Sequence, residues 1–145
     1  MILNFGSINI DHVYGMDRLP LPGETVPANT YGQFLGGKGI NQSIAAHHSG
    51  GEVLHFGAVG SDGQWVLDQI QTFGLSTDHI RRTDQPTGNA VVSVDGLGEN
   101  SIVILAGANH QLDKEYIDNS LSKHCSRQDY VDETVLSEPC NKVSD

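Results

Sequence analysis

Basic residues are scarce in this chain: Lys plus Arg number 8 against 18 Asp plus Glu, a formal net charge of −10. So acidic a chain has no sequence-independent grip on nucleic acid or on an anionic membrane, since both depend on clustered positive charge. Long apolar runs are lacking too, and none approaches the roughly 20 residues that span a bilayer. No basic segment precedes Met1-Ile2-Leu3-Asn4-Phe5, so a cytoplasmic location is the expectation. Cysteine is limited to Cys125 and Cys140, with no framework of paired spacings around them, and both are expected to be ordinary reduced thiols. The seven histidines contain no His-x-x-x-His pair and no cysteine pair accompanies them, so no metal site is expected.

What is present is an alternation of strand and helix signals. Ile2 to Ser7 is a short apolar run followed by the polar residues Asn9, Asp11 and His12, a pattern expected of a buried strand that delivers polar groups at its C-terminal end. In open α/β sheets ligands sit at that end. Thr25 to Leu35 is expected to be extended and runs into Gly36-Gly37-Lys38-Gly39, after which Ile40 to His48 forms a helix with Ile40, Ile44 and Ala45 along one side. Val53 to Val59 is a core strand, and the next helix carries Val66, Ile70 and Phe73 at helical spacing. The fold class is therefore α/β, with a parallel sheet and crossover helices.

One segment departs from this alternation. Asn89 to Val94 and Ser101 to Ala106 are β-rich runs joined by Asp95-Gly96-Leu97-Gly98-Glu99-Asn100, which is a hairpin signal. Such a hairpin lies outside a parallel sheet and, with Thr25 to Leu35, is expected to form a small separate platform or lid. Asp113 then caps a helix carrying Tyr116, Ile117 and Leu121 up to His124. Gln128 to Val131 begins like a strand, but the residues after it have no periodicity, and 127–145 is expected to be a divergent, frayed tail.

The glycines of Gly36-Gly37-Lys38-Gly39 let backbone approach a ligand closely, and the helix behind them is expected to offer free N–H groups. Lys38 adds a positive charge. Asp11 accepts from adjacent hydroxyls, while Asn9 and Asn41 each supply a donor and an acceptor, a set suited to a polyhydroxy ligand. The loop is not a nucleotide P-loop, because Gly39 stands where Ser or Thr must follow the lysine. It is not a dinucleotide loop either, because Gln42 occupies the position of the third glycine.

Gly6-Ser7-Ile8-Asn9-Ile10-Asp11, Pro22-Gly23-Glu24-Thr25, Gly36 to Gln42, Gly57-x-x-Gly60-x-Asp62, and Glu99-Asn100 with Ala106-Gly107-Ala108-Asn109 resemble the ribokinase, or PfkB carbohydrate kinase, family, in the family's order. The resemblance covers residues 1–126, an N-terminal kinase portion with lid segments at about 12–35 and 87–106. It implies a ribokinase-like α/β fold with an incomplete parallel sheet and a small β lid. It also implies that Asn9, Asp11, Gly37, Lys38 and Asn41 bind sugar hydroxyls, that Ala90 and Val92 close over the sugar, and that two lids can pair in a homodimer.

The family's cofactors are ATP and Mg2+, with room for a monovalent cation, and ribose is the sugar favoured by this residue set. Fructose, a nucleoside or another sugar derivative is the alternative. The family's catalytic Asp, in a Gly-x-Gly-Asp sequence, and its nucleotide loops have no counterpart in these 145 residues. Glu133 and Glu138 are weak candidates for a further sugar-contacting acid. The expectation is a truncated kinase, inactive by itself; the alternative is a non-catalytic sugar-binding or dimerising fragment.

Overall fold

The computed structural model describes residues 1–124 and 130–132. Four parallel strands form the main sheet: β1 (Ile2–Phe5), β4 (Val53–Val59), β5 (Ile80–Arg82) and β8 (Tyr130–Asp132), in the order β5-β4-β1-β8. A second sheet holds β2 (Asn9–Gly15), β3 (Thr30–Gly36), β6 (Gly88–Val94) and β7 (Asn100–Leu105), in the order β3-β2-β6-β7. Three helices, α1 (Lys38–His48), α2 (Gln64–Thr72) and α3 (Lys114–His124), and a 3-10 turn over Gly107–Gln111 complete the described residues. Among them no helix is long and apolar enough to cross a membrane.

Side-chain alternation along the strands assigns the two faces of the main sheet. Leu3, Phe5 and Phe56 point to one face, where Tyr116, Ile117 and Leu121 of α3 cover them. Val53 and Val59 point to the other and pack with Ile40 of α1 and with Val66, Leu67 and Ile70 of α2. Burial on both faces is why β4 has the apolar character of a central parallel strand. The helices differ in detail from their sequence stripes. Phe73, expected on the buried side of α2, is 37% exposed at the helix end, and Leu67 and Leu75 enter the core instead. On α1 Ala45 is exposed and Ala46 packs inward. Asp113 caps α3 as expected, its Oδ1 accepting the Tyr116 N–H at 2.8 Å.

Three polar side chains interrupt the apolar face beneath α1. Asn4 Nδ2 donates to the Gly39 carbonyl and to Ser43 Oγ, each at 2.8 Å, and Ser43 Oγ lies 2.8 Å from His55 Nδ1. The Ser43 hydroxyl thus bridges Asn4 and His55. His55 Nε2 finds no aligned partner. Burial pushes the His55 imidazole down to about 4, the nearby Gly6 backbone offsetting only part of the effect, so the ring is neutral. A serine beside a histidine suggests a nucleophile and its base, but Ser43 and His55 are 0% and 1% exposed. No substrate reaches them, and the network ties β1, α1 and β4 together.

The second sheet begins at Asn9. Asn9 and Asp11, expected at the C-terminal end of the first buried strand, belong instead to a separate strand, β2, which pairs antiparallel with β3 and parallel with β6, while β6 and β7 form the expected antiparallel hairpin. Within the extended stretch expected from residue 25, the strand itself starts at Thr30. The lid is fastened where β6 starts. The fully buried Thr87 donates its N–H and its Oγ1–H to Asp62 Oδ1 at 2.9 and 2.6 Å and accepts the Gly60 N–H at 2.9 Å. Burial works to raise the Asp62 carboxyl, but the bonds from Thr87 outweigh it and hold it below its ordinary value. β8 corresponds to the strand expected within 128–131; the expected frayed tail, with Glu133 and Glu138, otherwise lies outside the described residues.

Candidate functional site

Where the lid meets the main sheet, a cleft of about 490 Å³ is lined by Asn9 and Asp11 of the lid strand β2 and by Ser7, Gly37, Lys38 and Asn41 from the ends of the neighbouring elements. Ala90, Val92, Ile102, Ile104, Ala106 and Asn109 supply the rest of the lining. All seven residues proposed from sequence are thus brought to one place, from β2, the β3–α1 turn, α1 and β6. Strand register explains the apolar wall: Ala90 pairs with Ile104 and Val92 with Ile102, so all four side chains project from one face of the lid. The same alternation turns His12 to the opposite face, where its Nδ1 lies 2.9 Å from the Tyr31 hydroxyl.

The turn into α1 has a specific backbone requirement. Gly37, at φ 107°, caps the helix, and a Cβ there would stand 2.5 Å from the Ser7 carbonyl oxygen. This close approach ties up the helix terminus. Ile40 N–H donates to the Ser7 carbonyl at 3.1 Å, Gly39 N–H to Ser7 Oγ at 3.4 Å, and Asn41 N–H to the Gly37 carbonyl at 3.1 Å. The Gly39 and Ile40 N–H groups, expected to be free at this helix start, are therefore already engaged, while the Asn41 bond is the first one of the helix itself. That disfavours a phosphate cradle, which needs such donors, and leaves recognition to side chains.

Those side chains are complementary in chemistry. Burial raises the Asp11 carboxyl above its ordinary value, and the charge of neighbouring His12 opposes this in part. Lys38 is exposed and has no ion-pair partner among the described residues. One carboxylate, one ammonium group and the amides of Asn9 and Asn41, facing an apolar lid, suit a neutral ligand with several hydroxyls and an apolar ring face. Ile102, Ile104, Ser7, Ala106 and Asn109 received no role from sequence. The period-2 continuation of the hairpin from Ala90 and Val92 carried the signal for the two isoleucines.

A second cleft of about 290 Å³, lined by His79, Arg81, Tyr116 and His124, lies between β5 and α3 and contains none of the expected site residues. Among the described residues no three His, Cys, Asp or Glu side chains are grouped to hold a metal ion.

Comparison with known proteins agrees with this architecture. Residues 1–142 match the pfkB family of carbohydrate kinases. The chain is 38% identical over 118 residues to the ribokinase of Haemophilus influenzae, covering 79% of this chain and 39% of that protein. The structure of Thermotoga maritima ribokinase superposes with a TM-score of 0.76 at 35% identity, over 85% of this chain and 42% of the other. Arabidopsis thaliana ribokinase, solved with ribose and ATP, gives a TM-score of 0.66 at 34% identity, over 74% of this chain and 36% of the other. The chain thus spans about two fifths of the length of these relatives. Motif order, the lid sheet and these likenesses agree: the chain belongs to the pfkB family of carbohydrate kinases.

Proposed function

We propose that this chain forms the sugar-holding side of a ribokinase-type phosphotransferase, with ribose as its ligand. The convergence of Asn9, Asp11, Gly37, Lys38, Asn41, Ala90 and Val92 on one cleft carries the reading. Asp11 accepts hydrogen bonds from neighbouring sugar hydroxyls, Lys38 and the two asparagines donate to the remaining oxygens, and Ala90 and Val92 cover the apolar face of the ring. Relatives solved with ribose and ATP, and with ADP, support sugar and nucleotide as the two substrates of the complete active site.

Phosphoryl transfer needs a base for the attacking hydroxyl and donors for the charge developing on the phosphate. The residues present do not fit the second requirement. The Gly39 and Ile40 N–H groups at the start of α1 are engaged, and no acidic cluster able to hold magnesium occurs among the described residues. No step through ATP or a metal is therefore assigned to this chain, and the 145 residues by themselves bind sugar without transferring phosphate. Calorimetry with D-ribose, paired with an assay of ribose-dependent ATP consumption, tests both halves. Millimolar or tighter binding without turnover is the expected result.

Pairing of two chains through the lid is the second element of the proposal. Ile102, Val103, Ile104 and Leu105 of β7 are 51 to 69% exposed on an edge strand, an apolar run that isolated proteins seldom leave open to water.

A further inference from the structure

Asn109 follows the lid hairpin, in the 3-10 turn, and its amide orientation is fixed by the main chain. Its Oδ1 accepts the Ile8 N–H at 2.9 Å and its Nδ2 donates to the Ile8 carbonyl at 3.2 Å. Reversing the amide would set oxygen against oxygen and N–H against N–H, so only one orientation satisfies both groups. The same Nδ2 donates to Asn9 Oδ1 at 2.8 Å. Asn9 must then present its oxygen to Asn109, and its own Nδ2 has no partner among the described residues although the residue lines the cleft.

The space for this pair is specific. A Cβ on Gly88 would lie 2.2 Å from Asn109 Nδ2 and 2.4 Å from Asn9 Oδ1, so the lid strand carries glycine where the two amides meet.

We propose that Asn109 is a positioning residue that locks the polarity of Asn9, making the cleft present an amide donor at this point and select a ligand with an oxygen acceptor there. The inference rests on the sugar-site reading for the identity of the ligand, but not for the lock itself. An unlocked amide would offer donor or acceptor with little preference. The lock removes that ambiguity before the ligand arrives, which is preorganisation of a hydrogen bond.

Two variants of the full chain test it. N9D keeps an oxygen for Asn109 to donate to and replaces the cleft-facing NH2 with a second oxygen. N109D keeps an oxygen for the Ile8 N–H and removes the donor to Asn9, so the Asn9 amide turns over. Both are expected to weaken D-ribose binding at least about tenfold, one good hydrogen bond being lost. Undiminished ribose affinity in N9D overturns the donor requirement.

The second readout needs no ligand and is independent of N109D stability: solvent exchange of the side-chain amide protons in the free wild-type chain, followed by NMR. Slow exchange at Asn109 Nδ2 with fast exchange at Asn9 Nδ2 is expected; the reverse, or equal rates, overturns the lock. Should wild type bind no ribose while the exchange pattern appears, the sugar reading fails and the lock stands.

Discussion

The carboxylate of Asp11 lies diagonally across the β2–β3 pairing, directly above Gly36, where a Cβ would stand 2.2 Å from its carboxyl carbon. Glycine here is a vacancy for a functional group and not a turn signal. The obstacle is the end of a movable side chain, so G36A is expected to displace the Asp11 carboxylate while the strand survives. Ribose affinity should fall about tenfold or more with unfolding free energy changed by less than about 1 kcal/mol. Titration calorimetry and urea unfolding followed through the single tryptophan, Trp65, which packs against the main core, measure the two quantities.

The raised Asp11 carboxyl gives the binding site a pH dependence. Hydroxyl donors require the ionised form, so ribose affinity should decline as pH falls, beginning above the 3.8 ordinary to aspartate. Binding stabilises the carboxylate and so lowers its pKa, which means that ribose binding in that range releases protons. Calorimetry in buffers of different ionisation enthalpy reads the release directly, and D11N should abolish it.

His55 governs the stability of the fold in acid. Its ring is neutral in the native chain with a pKa of about 4, against 6.5 ordinarily, so the unfolded chain binds the extra proton between those values. Stability is therefore retained above pH 6.5 and lost as pH falls towards 4. Between pH 6.5 and 5 the loss should be about 1.5 kcal/mol, since a full unit corresponds to ~1.4 kcal/mol and the unfolded ring is only half protonated at pH 6.5. The H55Q variant, compared by urea unfolding at both pH values, should lack this component of the dependence.

The apolar edge of the lid leads to a concentration-dependent mass. Sedimentation equilibrium of the chain should detect a dimer that V103E disperses, because a charge placed beside its symmetry mate on a paired strand must be desolvated. Val103 projects from the lid face opposite Ile102 and Ile104, so ribose binding should survive the substitution. A monomer at every concentration for both chains would remove the lid-pairing proposal.

Much of this was legible in the residues. The period-2 and 3.6 patterns identified β4, α1, α2, α3 and the β6–β7 hairpin because each buries one face against a continuous core. The glycine loop with Asn9 and Asp11 pointed to the cleft because its residue types are unusual in combination.

Other features were hidden for physical reasons. β2 was not recognisable as a strand of its own, because Asn9, Asp11 and His12 are polar on both faces of a sheet open to solvent. β5 has only three residues, two of them exposed arginines, and offers no periodicity. Asn109 stood in a recognised motif but without a role, because that role lies in bonds to Ile8 and Asn9, 101 and 100 residues away. The buried Asn4–Ser43–His55 network left no sequence trace, since its members sit on three separate elements.

Calorimetric titration of the chain with D-ribose, alongside D11A and a non-sugar polyol of similar size, tests the central claim most directly. Saturable 1:1 binding at millimolar affinity or tighter, lost in D11A and absent for the polyol, is the predicted result. A folded wild-type chain, as judged by Trp65 fluorescence, that gives no ribose-dependent heat at any temperature would contradict it.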